Sequence, residues 1–424
     1  MFKTLHNAWS IPDLRKKIIF TMFILLIYRI GSVIPVPFVN VEGMATFFEA
    51  SLENTILGLY NAMSGSAFSQ ASIMALGIQP YINASIIIQL LCVAIPALER
   101  MSKEQGEIGK KKIERITRFT TVGLGLLLGF AYYTMIANNA QFDVLSQKGL
   151  LPALVIILTF TAGSCVVMWM GEQITAHGIG NGISVILFAN IIAGFPSMIS
   201  TLTAGLFKWW IAVIIAVVAL LLVIFIVFIN DAERRIPIQY AKRVVGRKVY
   251  GGQSTNLPIK VSMSGVMPVI FAQSIVSVPA TICAFIGVQS GWWYDNVFSS
   301  TGWIYVVLYG LLIFFFSWFY STIQYDPVEI SNNLKKNGGF IPGFRPGKPT
   351  ADFIKKVIGK ILVFGALYLA VIALLPMIGN IILPDLKYLA IGGTSIISVV
   401  GVALETVKAL EAQMMMRHYK GFLD

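Results

Sequence analysis

The chain has 424 residues, of which 56% are hydrophobic and only 12% are charged. A soluble globular protein carries roughly 25% charged residues, so this chain lacks the polar surface needed to face water on all sides. The formal net charge of +12 would suggest nucleic-acid binding in a soluble protein, but here the basic residues fall between long apolar runs. Composition therefore excludes a soluble fold and predicts an integral membrane protein.

Ten segments are apolar over a length that can cross a bilayer, whose hydrocarbon core takes about 20 helical residues. Three of them carry no charged residue, namely 150–170, 209–229 and 303–323. The other predicted spans are 18–36, 70–95, 119–137, 182–202, 261–288, 361–383 and 388–404. The pattern predicts an all-α integral membrane protein with ten transmembrane helices.

The first span follows a basic stretch, as a signal peptide would, with Lys16 and Lys17 directly before it. No small-residue cleavage site follows, and the run continues into Arg29 and two prolines, Pro35 and Pro37. We therefore expect a retained first helix rather than a cleaved signal. Arg29 is the clearest charge inside a span, and we expect it to snorkel or to pair structurally; facing a cavity is the alternative.

Basic residues are distributed unevenly between the loops. Only Lys148, Lys208 and Lys387 of the 32 lysines and arginines lie in odd-numbered loops. Cytoplasmic loops carry the excess of Lys and Arg, so both termini are expected in the cytoplasm. Five helices in each half, 1–205 and 206–424, force opposite orientations on the halves, and inverted halves place a functional site near the midplane between them.

Three connecting segments differ from ordinary loops. Residues 54–69 are external, apolar and rich in Gly and Ser, but too short to span, so we predict a short re-entrant helix at a cavity. The long cytoplasmic loop 230–260 is strongly basic. The second long cytoplasmic loop, 324–354, contains a stretch at 338–347 that is interrupted by Gly and Pro too often for a helix.

The sequence shows no signature of catalysis or of a cofactor or metal site. The three histidines are scattered, and no Walker-type phosphate loop is present. Cys92, Cys165 and Cys283 each lie inside an apolar run without metal-binding spacing, which indicates packing residues. The glycine-rich stretch 178–182 follows no strand and opens an apolar span, so a tight turn or close helix packing is favoured over nucleotide binding.

One candidate function is a secondary transporter of a small solute, built on inverted repeats. Such carriers place carboxylates or histidines within the membrane. Here Glu172 and Glu405 lie at span ends, which disfavours an ion-coupled carrier. A membrane-embedded hydrolase would need a nucleophile and a base paired inside the spans, and the sequence offers no good candidate.

The span at 70–95 contains the most specific motif, GIQPYINASIIIQL at 77–90, which is similar to the second-helix segment of the SecY family. Further segments resemble that family in the same order along nearly the whole chain: YRIG at 28–31 with IPVP at 34–37, GEQIT at 171–175 with GIGNGIS at 178–184, RRIP at 234–237, QSTNLPIK at 253–260, FIPGFRPG at 340–347 and GGTS at 392–395. Any one match could arise by chance, but their order over ten predicted spans indicates membership of the family.

The resemblance implies two five-helix halves that close like a clamshell around a pore for polypeptides. The family's pore constriction is an apolar ring, which by motif falls on Ile78, Ile82, Ile183, Leu187 and Ile270. The sixth position falls on Ser398, where the family commonly has isoleucine; either the ring is softer here or Ile397 supplies the side chain. The family's plug, a short helix under the ring, corresponds to residues 54–69 and includes Ile56, Leu57, Gly58, Leu59, Tyr60, Met63 and Gly65.

The family also has a lateral gate, through which segments leave sideways into lipid, between helices two and three on one side and seven and eight on the other. The polar candidates there are Asn83, Ser85, Gln89, Thr120, Gln273 and Ser274. Hydrogen bonds between such groups in membranes are worth roughly 1 kcal/mol each, which is weak enough to open when a signal sequence enters.

The basic loops resemble the family's docking surface for the ribosome and for the motor ATPase SecA. The candidates are Arg234, Arg235, Arg243, Arg247, Lys248 and Arg345. The positive-inside rule alone explains many of these charges, but not the length of the loops or their Gly and Pro turns. The resemblance further implies the small partner subunits SecE and SecG, contact with membrane lipid, and a location in the bacterial plasma membrane; a thylakoid homologue is the alternative.

Overall fold

The structure is a computed structural model, and it describes residues 2–48, 50, 56–103, 106–138, 142–147, 149–196, 209–240, 243–245, 248–250, 254–262, 265–286, 291–292, 296–297, 302–382 and 393–420. This part of the chain is mainly helical. The helices before residue 200 are α1 (Phe2–Ser10), α2 (Pro12–Gly31), α3 (Val41–Phe47), α4 (Ile56–Ser64), α5 (Gln79–Ala94), α6 (Pro96–Lys103), α7 (Gly106–Asn138), α8 (Leu150–His177) and α9 (Gly182–Ala193). The later helices are α10 (Trp209–Asp231), α11 (Met267–Ile286), α12 (Trp303–Gln324), α13 (Pro327–Lys336), α14 (Lys348–Ile382) and α15 (Gly393–Lys420).

The helices follow the predicted spans. Five described helices are long and apolar enough to cross a membrane by length and composition, and they coincide with the spans predicted at 119–137, 150–170, 209–229, 303–323 and 361–383. Three shorter apolar helices, Gln79–Ala94, Gly182–Ala193 and Met267–Pro279, lie within predicted spans. Since α2 and α15 overlap the first and last predicted spans, every predicted span overlaps a helix. The chain is a multi-pass membrane protein.

The span predicted at 70–95 is helical only from Gln79 onward, and the residues before it form a series of turns. Pro80 lies in the first turn of α5, where its missing N–H costs nothing, so it begins the helix rather than interrupting it. The turns pack against the chain after α2, since the Val36 amide donates to the Ala71 carbonyl at 3.0 Å. This irregular backbone is therefore held inside the protein.

The basic segment 230–260 is not an ordinary loop but a β-structure, which corrects the all-α expectation for this part of the chain. Strand β1 (Glu233–Tyr240) pairs antiparallel with β4 (Ser254–Lys260) on one edge and with β5 (Gly339–Phe340) on the other. In the sequence between β1 and β4, β2 (Arg243–Val245) and β3 (Lys248–Tyr250) pair antiparallel as a separate two-stranded sheet.

The three-stranded sheet forms because alternate residues of β1 can face an apolar surface. Ile236 and Ile238 are buried while Arg235 and Pro237 are exposed, which is the period-two pattern of a half-buried strand. The buried side packs with Ile259 and with apolar residues of α13 and α14 in one cluster. The opposite side of β1, which carries Arg235, Pro237 and Gln239, faces outward.

The outer surface of the helices is apolar, as a lipid-facing surface must be. On α10, Leu221 is 58% and Phe228 71% exposed, and both project away from the protein interior. The apolar interior instead lies where α2, α5, α8, α9, α11, α12, α14 and α15 meet. This central cluster contains the candidate functional site.

Candidate channel constriction and plug

The apolar residues predicted for the constriction come together in the central cluster. The fully or nearly buried members of that cluster include Ile78, Ile82, Leu187, Ile270 and Ile397, and Ile183 packs against it. Two of these side chains meet at Gly171, where a Cβ atom would lie 3.6 Å from both Ile78 Cδ1 and Ile183 Cγ1. Side chains of α5, α9, α11 and α15 thus belong to one apolar cluster.

The first residues of α5 and α9 determine where these side chains lie. Ile78 is the N-cap residue of α5, and Ile82 lies one turn further on the same face. The α9 helix begins at a tight turn, in which Gly180 has a φ of +70° and Asn181 Oδ1 accepts from the Ile183 amide at 3.1 Å. The glycine-rich stretch 178–182 is thus a turn and helix cap, as the sequence favoured.

The tenth predicted helix offers two neighbouring residues. Ile397 is 1% exposed and belongs to the central apolar cluster, whereas Ser398 is 6% exposed and is a buried polar residue. The packing supports Ile397 as the apolar contribution of α15, and the assignment of either side chain to the ring stays a prediction.

The predicted plug contains a short helix, α4, which connects two apolar clusters. Leu57 is buried in a cluster with Phe47, Phe68 and Tyr132, while Met63 packs against the central cluster. Gly58 is half-buried and Tyr60 is buried; residues 54 and 55 and the side chains of Ile56 and Leu59 lie outside what the structure describes. The helix therefore lies directly against the candidate constriction.

The Met63 thioether accepts hydrogen bonds from two of the helices around α4. Gln79 Nε2 of α5 donates to Met63 Sδ at 3.0 Å, and Gln273 Nε2 of α11 donates to the same sulfur at 3.4 Å. A second contact to α11 joins the Tyr60 and Ser277 hydroxyl oxygens at 3.4 Å. One sulfur atom thus joins helices from both halves of the chain, which sequence reasoning did not foresee.

The carboxyl end of α4 is held by donors from α2 and α9. Asn190 Nδ2 donates to the Met63 carbonyl at 2.8 Å, Tyr28 Oη to the Ser64 carbonyl at 3.5 Å, and Arg29 Nη1 to the Gly65 carbonyl at 3.1 Å. Arg29 therefore pairs structurally, which was one of the two expectations for it. Tyr28 and Asn190 were not singled out as functional, although a lone asparagine in an apolar span is a signal that could have found Asn190.

The helices predicted to form the lateral gate are in contact, because α11 packs against both α5 and α7. Of the polar candidates, Gln89 donates to Ser85 Oγ at 3.3 Å within α5, and Thr120 donates to the Ile116 carbonyl within α7. Gln273 bonds to the plug, Ser274 is buried without a hydrogen-bond partner for its hydroxyl, and Asn83 is half-buried. Within the described residues, none of the hydrogen bonds of these six side chains crosses from α5 or α7 to α11.

Four of the six predicted docking residues lie on strands. Arg234 and Arg235 are exposed on β1, and Arg235 Nε pairs with Glu233 at 2.7 Å. Arg345 is exposed in the turns after β5. Arg243 and Lys248 belong to β2 and β3, and Arg247 lies outside the described residues.

The carboxylates at the span ends lie close to basic side chains. Glu172 of α8 pairs with Arg118 of α7 at 2.8 Å, and Asp231 at the end of α10 pairs with Lys408 of α15 at 2.6 Å. Among the described residues there is no group of three or more His, Cys, Asp or Glu side chains that could hold a metal ion. The central cluster itself is lined by apolar and neutral polar groups.

A multi-pass membrane protein with a buried apolar cluster among several helices, and a short helix packed against that cluster, has the arrangement expected of a membrane channel. The SecY family model matches residues 72–407, and the chain belongs to the SecY family.

The similar proteins cover the whole chain. The chain is 43% identical over 440 residues to the protein translocase subunit SecY of Streptomyces galbus, with all of both chains covered. It is 43% identical over 434 residues to the protein of the same description from Bacillus licheniformis, again over all of both chains. The Thermotoga maritima protein is 41% identical, with 100% of this chain and 98% of that protein covered.

Solved structures share the fold at low sequence identity. A protein-conducting channel superimposes with a TM-score of 0.66 at 18% identity, over 94% of this chain and 92% of that chain. A SecY protein, whose plug domain stabilises the closed state of the translocation channel and maintains a membrane seal, gives 0.64 at 18% identity and the same coverage. Sec61 in the canine ribosome–channel complex gives 0.62 at 16% identity over 94% of this chain and 92% of that chain.

Proposed function

We propose that this chain is the channel-forming subunit of a protein translocase, a conduit rather than an enzyme. It passes unfolded secretory polypeptides across the bacterial plasma membrane and releases membrane-protein helices sideways into lipid. The observation that carries this proposal is the buried apolar cluster at Ile78, Ile82, Leu187 and Ile270, against which the Met63 end of α4 packs. The structure on this reading is the closed channel.

An apolar constriction suits a polypeptide channel. Such a constriction excludes water and ions when it is closed, since a narrow apolar passage dewets. It offers no fixed charge to retain a passing chain and recognises no particular peptide sequence. A solute carrier would instead need polar or charged groups that bind its substrate and coupling ion at the midplane.

The fuller architecture belongs to the same proposal. Ten transmembrane helices form two inverted halves, 1–205 and 206–424, with both termini in the cytoplasm. The overlap of each predicted span with a helix supports this arrangement, as does the distribution of Lys and Arg. The packing of α11 against α5 and α7 supports a lateral gate between the halves. The gate candidates Asn83, Ser85, Gln89, Thr120, Gln273 and Ser274 remain part of the proposal.

The energy for transport comes from partners in this proposal. SecA or the ribosome docks on exposed arginines of β1 and of the turns after β5, namely Arg234, Arg235 and Arg345, because guanidinium groups bind acidic protein surfaces or phosphate backbones. One similar structure, Sec61, is described in a complex with a ribosome, which supports the ribosome as a partner. SecE and SecG are proposed as the accompanying subunits.

The test uses the chain reconstituted into vesicles with SecE. SecA, ATP and a secretory precursor are added, and precursor protected from external protease is measured. In a background without native cysteines, Ile82→Cys and Ile270→Cys are then joined by a short bifunctional maleimide. We expect protection that requires SecA and ATP and that is lost only when both cysteines are present.

The single-cysteine variants treated with the same reagent are the matched controls, and they should transport normally. Absence of protected precursor, in a folded complex that binds SecA, would reject the polypeptide channel and favour the small-solute transporter.

A further inference from the structure

The chain between β4 and α11 packs closely against two helices. The described residues of this connection, 261–262 and 265–266, are here called the linker. A Cβ on Gly365 of α14 would lie 2.7 Å from the Val261 carbonyl oxygen. A Cβ on Gly401 of α15 would collide with Val266 Cγ2. Because both helix positions lack a side chain, the linker can approach the helices this closely at the point where α11 starts.

A small cavity lies beside the contact between the linker and α14, with a volume of about 10 Å³. Its polar lining comes from three serines, Ser262 of the linker and Ser317 and Ser321 of α12, and Leu362 and Leu369 of α14 form an apolar wall. The two α12 serines are buried, with 3% and 1% of their surface exposed. Accommodating one water molecule takes roughly 10–15 Å³ of such volume. The cavity therefore admits one water molecule and nothing larger.

The Ser262 hydroxyl group needs a partner that the protein does not supply. Its Oγ atom is buried and has no hydrogen-bond partner among the described residues. Buried hydroxyl groups are nearly always bonded, either to another protein group or to an ordered water molecule. A serine hydroxyl donates one hydrogen bond and accepts two, so Ser317 and Ser321 can each bond to a water molecule in addition to a protein group. The three serines together offer a water molecule the two to four partners that it requires.

Two other occupants fit this cavity less well. Cavities that stay dry are lined by apolar groups, whereas three hydroxyl-bearing residues line this one. A bound divalent cation would need carboxylate ligands, and no acidic side chain is among the residues that line the cavity. The lining is neutral and carries both donors and acceptors, which is the chemistry that suits water.

We propose that Ser262, Ser317 and Ser321 form a binding site for one water molecule, which joins the linker before α11 to α12. The water satisfies the Ser262 hydroxyl group and bonds to the α12 serines on the other side of the cavity. A bond through water is nearly as favourable as a direct one, so the site stabilises the position of the linker. It lies where the β-structure joins the helices, and its existence does not depend on the proposed transport function.

Electron cryomicroscopy of the complex with SecE, at a resolution that shows ordered water, tests the site directly. We expect one density peak within hydrogen-bond distance of Ser262 Oγ and of at least one α12 serine hydroxyl. The structure is determined once in sodium buffer and once in a buffer without alkali-metal cations. A peak in both buffers supports water. A peak confined to sodium buffer would overturn the proposal in favour of a cation, and the absence of a peak from both would overturn it outright.

Thermal unfolding of Ser262→Ala tests the same site through the sign of its effect. Removing a buried hydroxyl group that has no partner costs nothing, so without the water Tm should stay the same or rise. Removing a hydroxyl group that binds the water loses a hydrogen bond and leaves the water short of a partner. We therefore expect the apparent Tm to fall by roughly 2–4 °C, by analogy with soluble domains of about 200 residues. An unchanged or raised Tm would refute the site.

Ser72→Ala is the matched control for this sign. The Ser72 hydroxyl oxygen is also buried without a hydrogen-bond partner among the described residues, and the residue is 0% exposed. It is not among the residues that line the cavity. We expect Ser72→Ala to leave Tm unchanged or to raise it. A fall in Tm equal to that of Ser262→Ala would show that the loss is not specific to the cavity, and it would contradict the proposal.

A double-mutant cycle shows whether the two sides of the cavity are connected. Ser262 Oγ makes no direct hydrogen bond to Ser321, so any coupling between the two side chains must pass through a shared group. Residues that share a hydrogen-bond network give non-additive effects on stability. We expect Ser262→Ala together with Ser321→Ala to lower Tm by less than the sum of the two single losses. Additive losses would refute a water molecule that bridges these serines.

Discussion

Substituting Gly182 by alanine tests the packing that places the constriction residues of α9. Gly182 is the first residue of α9, directly before Ile183. A Cβ at this position would lie 1.9 Å from the Gly171 carbonyl oxygen of α8, and 2.8 Å from Ile174 Cβ. The first of these atoms is backbone, so it cannot rotate away as the end of a flexible side chain can.

The size of the effect follows from the distances. Ordinary van der Waals contact begins at 3.4 Å, so a gap of 1.9 Å must widen by about 1.5 Å. Forcing one extra carbon into a packed interior costs roughly 1–3 kcal/mol. The shift would also stretch the bond from the Gly182 amide to Thr175 Oγ1, now 2.9 Å, which is worth about 1 kcal/mol. Together these terms amount to roughly 2–4 kcal/mol.

Thermal unfolding of the purified complex in detergent measures this loss. We expect Gly182→Ala to lower the apparent Tm by roughly 5–10 °C, by analogy with soluble domains of about 200 residues. The matched control is Gly359→Ala, an exposed helical position in α14 where a Cβ meets nothing within 4 Å. The control should change Tm little, or raise it, because alanine favours the helix over glycine. Equal Tm values for the two variants would refute the argument that α8 and α9 need a glycine at their crossing.

Three further outcomes are expected. Leu187→Asn should increase ion leakage through the resting channel in dye-loaded vesicles, because a polar ring admits water. The control Leu187→Met should not increase leakage. Equal leakage of the two variants would show that Leu187 is not part of the constriction. Arg345→Glu should weaken SecA-driven transport while membrane insertion and folding stay intact, and unchanged transport would reject docking at this residue. Tyr132→Phe should lower stability by about 1–3 kcal/mol, since the buried Phe68 carbonyl loses its donor at 2.7 Å. The neighbouring Tyr133→Phe is the control in the same melting assay, and an equal loss there would contradict the assigned bond.

The existence of the spanning helices could be predicted from the sequence because hydrocarbon thickness sets a simple length requirement. For the uncharged runs at 150–170 and 303–323, length and hydrophobicity alone predicted the helices. Where each helix begins and ends depends on local backbone preferences as well as on hydrophobicity, and Pro80 is an example. It begins α5, so the first third of the predicted span, residues 70–78, forms turns that pack against Ile34 and Val36. An apolar count alone cannot distinguish a buried turn from a helix.

The sequence analysis predicted a basic loop at 230–260, where the structure has strands, because a high density of charged residues is typical of a loop. The alternation of Arg235, Ile236, Pro237 and Ile238 is a strand signal, and it was available in the sequence. The pairing of β1 with β5 was not available, because it joins residues about a hundred positions apart. Local pattern predicts a strand, but only the tertiary fold selects its partner.

The plug contacts show the same limit at the candidate site. The motif at 77–90 identified Ile78 and Ile82, and the resemblance identified residues 54–69. Neither shows that Gln79 and Gln273 bind one sulfur atom of Met63. These residues are separated by 16 and 210 positions in the sequence, so their contact is a property of the folded chain.

The hydrogen bonds of two polar gate candidates, Gln89 and Thr120, do not contribute to the free energy of opening a gate between α11 and the helices α5 and α7. If Gln89 and Thr120 paired across the gate, opening would break those hydrogen bonds. In the described structure they bond within their own helices, to Ser85 and to the Ile116 carbonyl, and these bonds survive when the helices separate. In the proposed channel, opening therefore costs mainly the apolar burial of α11 against α5 and α7, with the weak contacts of α11 to the plug, Gln273 to Met63 and Ser277 to Tyr60.

An apolar segment entering between α5 and α11 can replace that burial, since its side chains cover the same surfaces. The contact with Met63 has no such replacement, because the sulfur stays with the plug while Gln273 moves with α11. In the proposed channel, opening the gate therefore loses this contact without compensation. The contact is weak, so the seal against ions depends on the apolar packing of the central cluster.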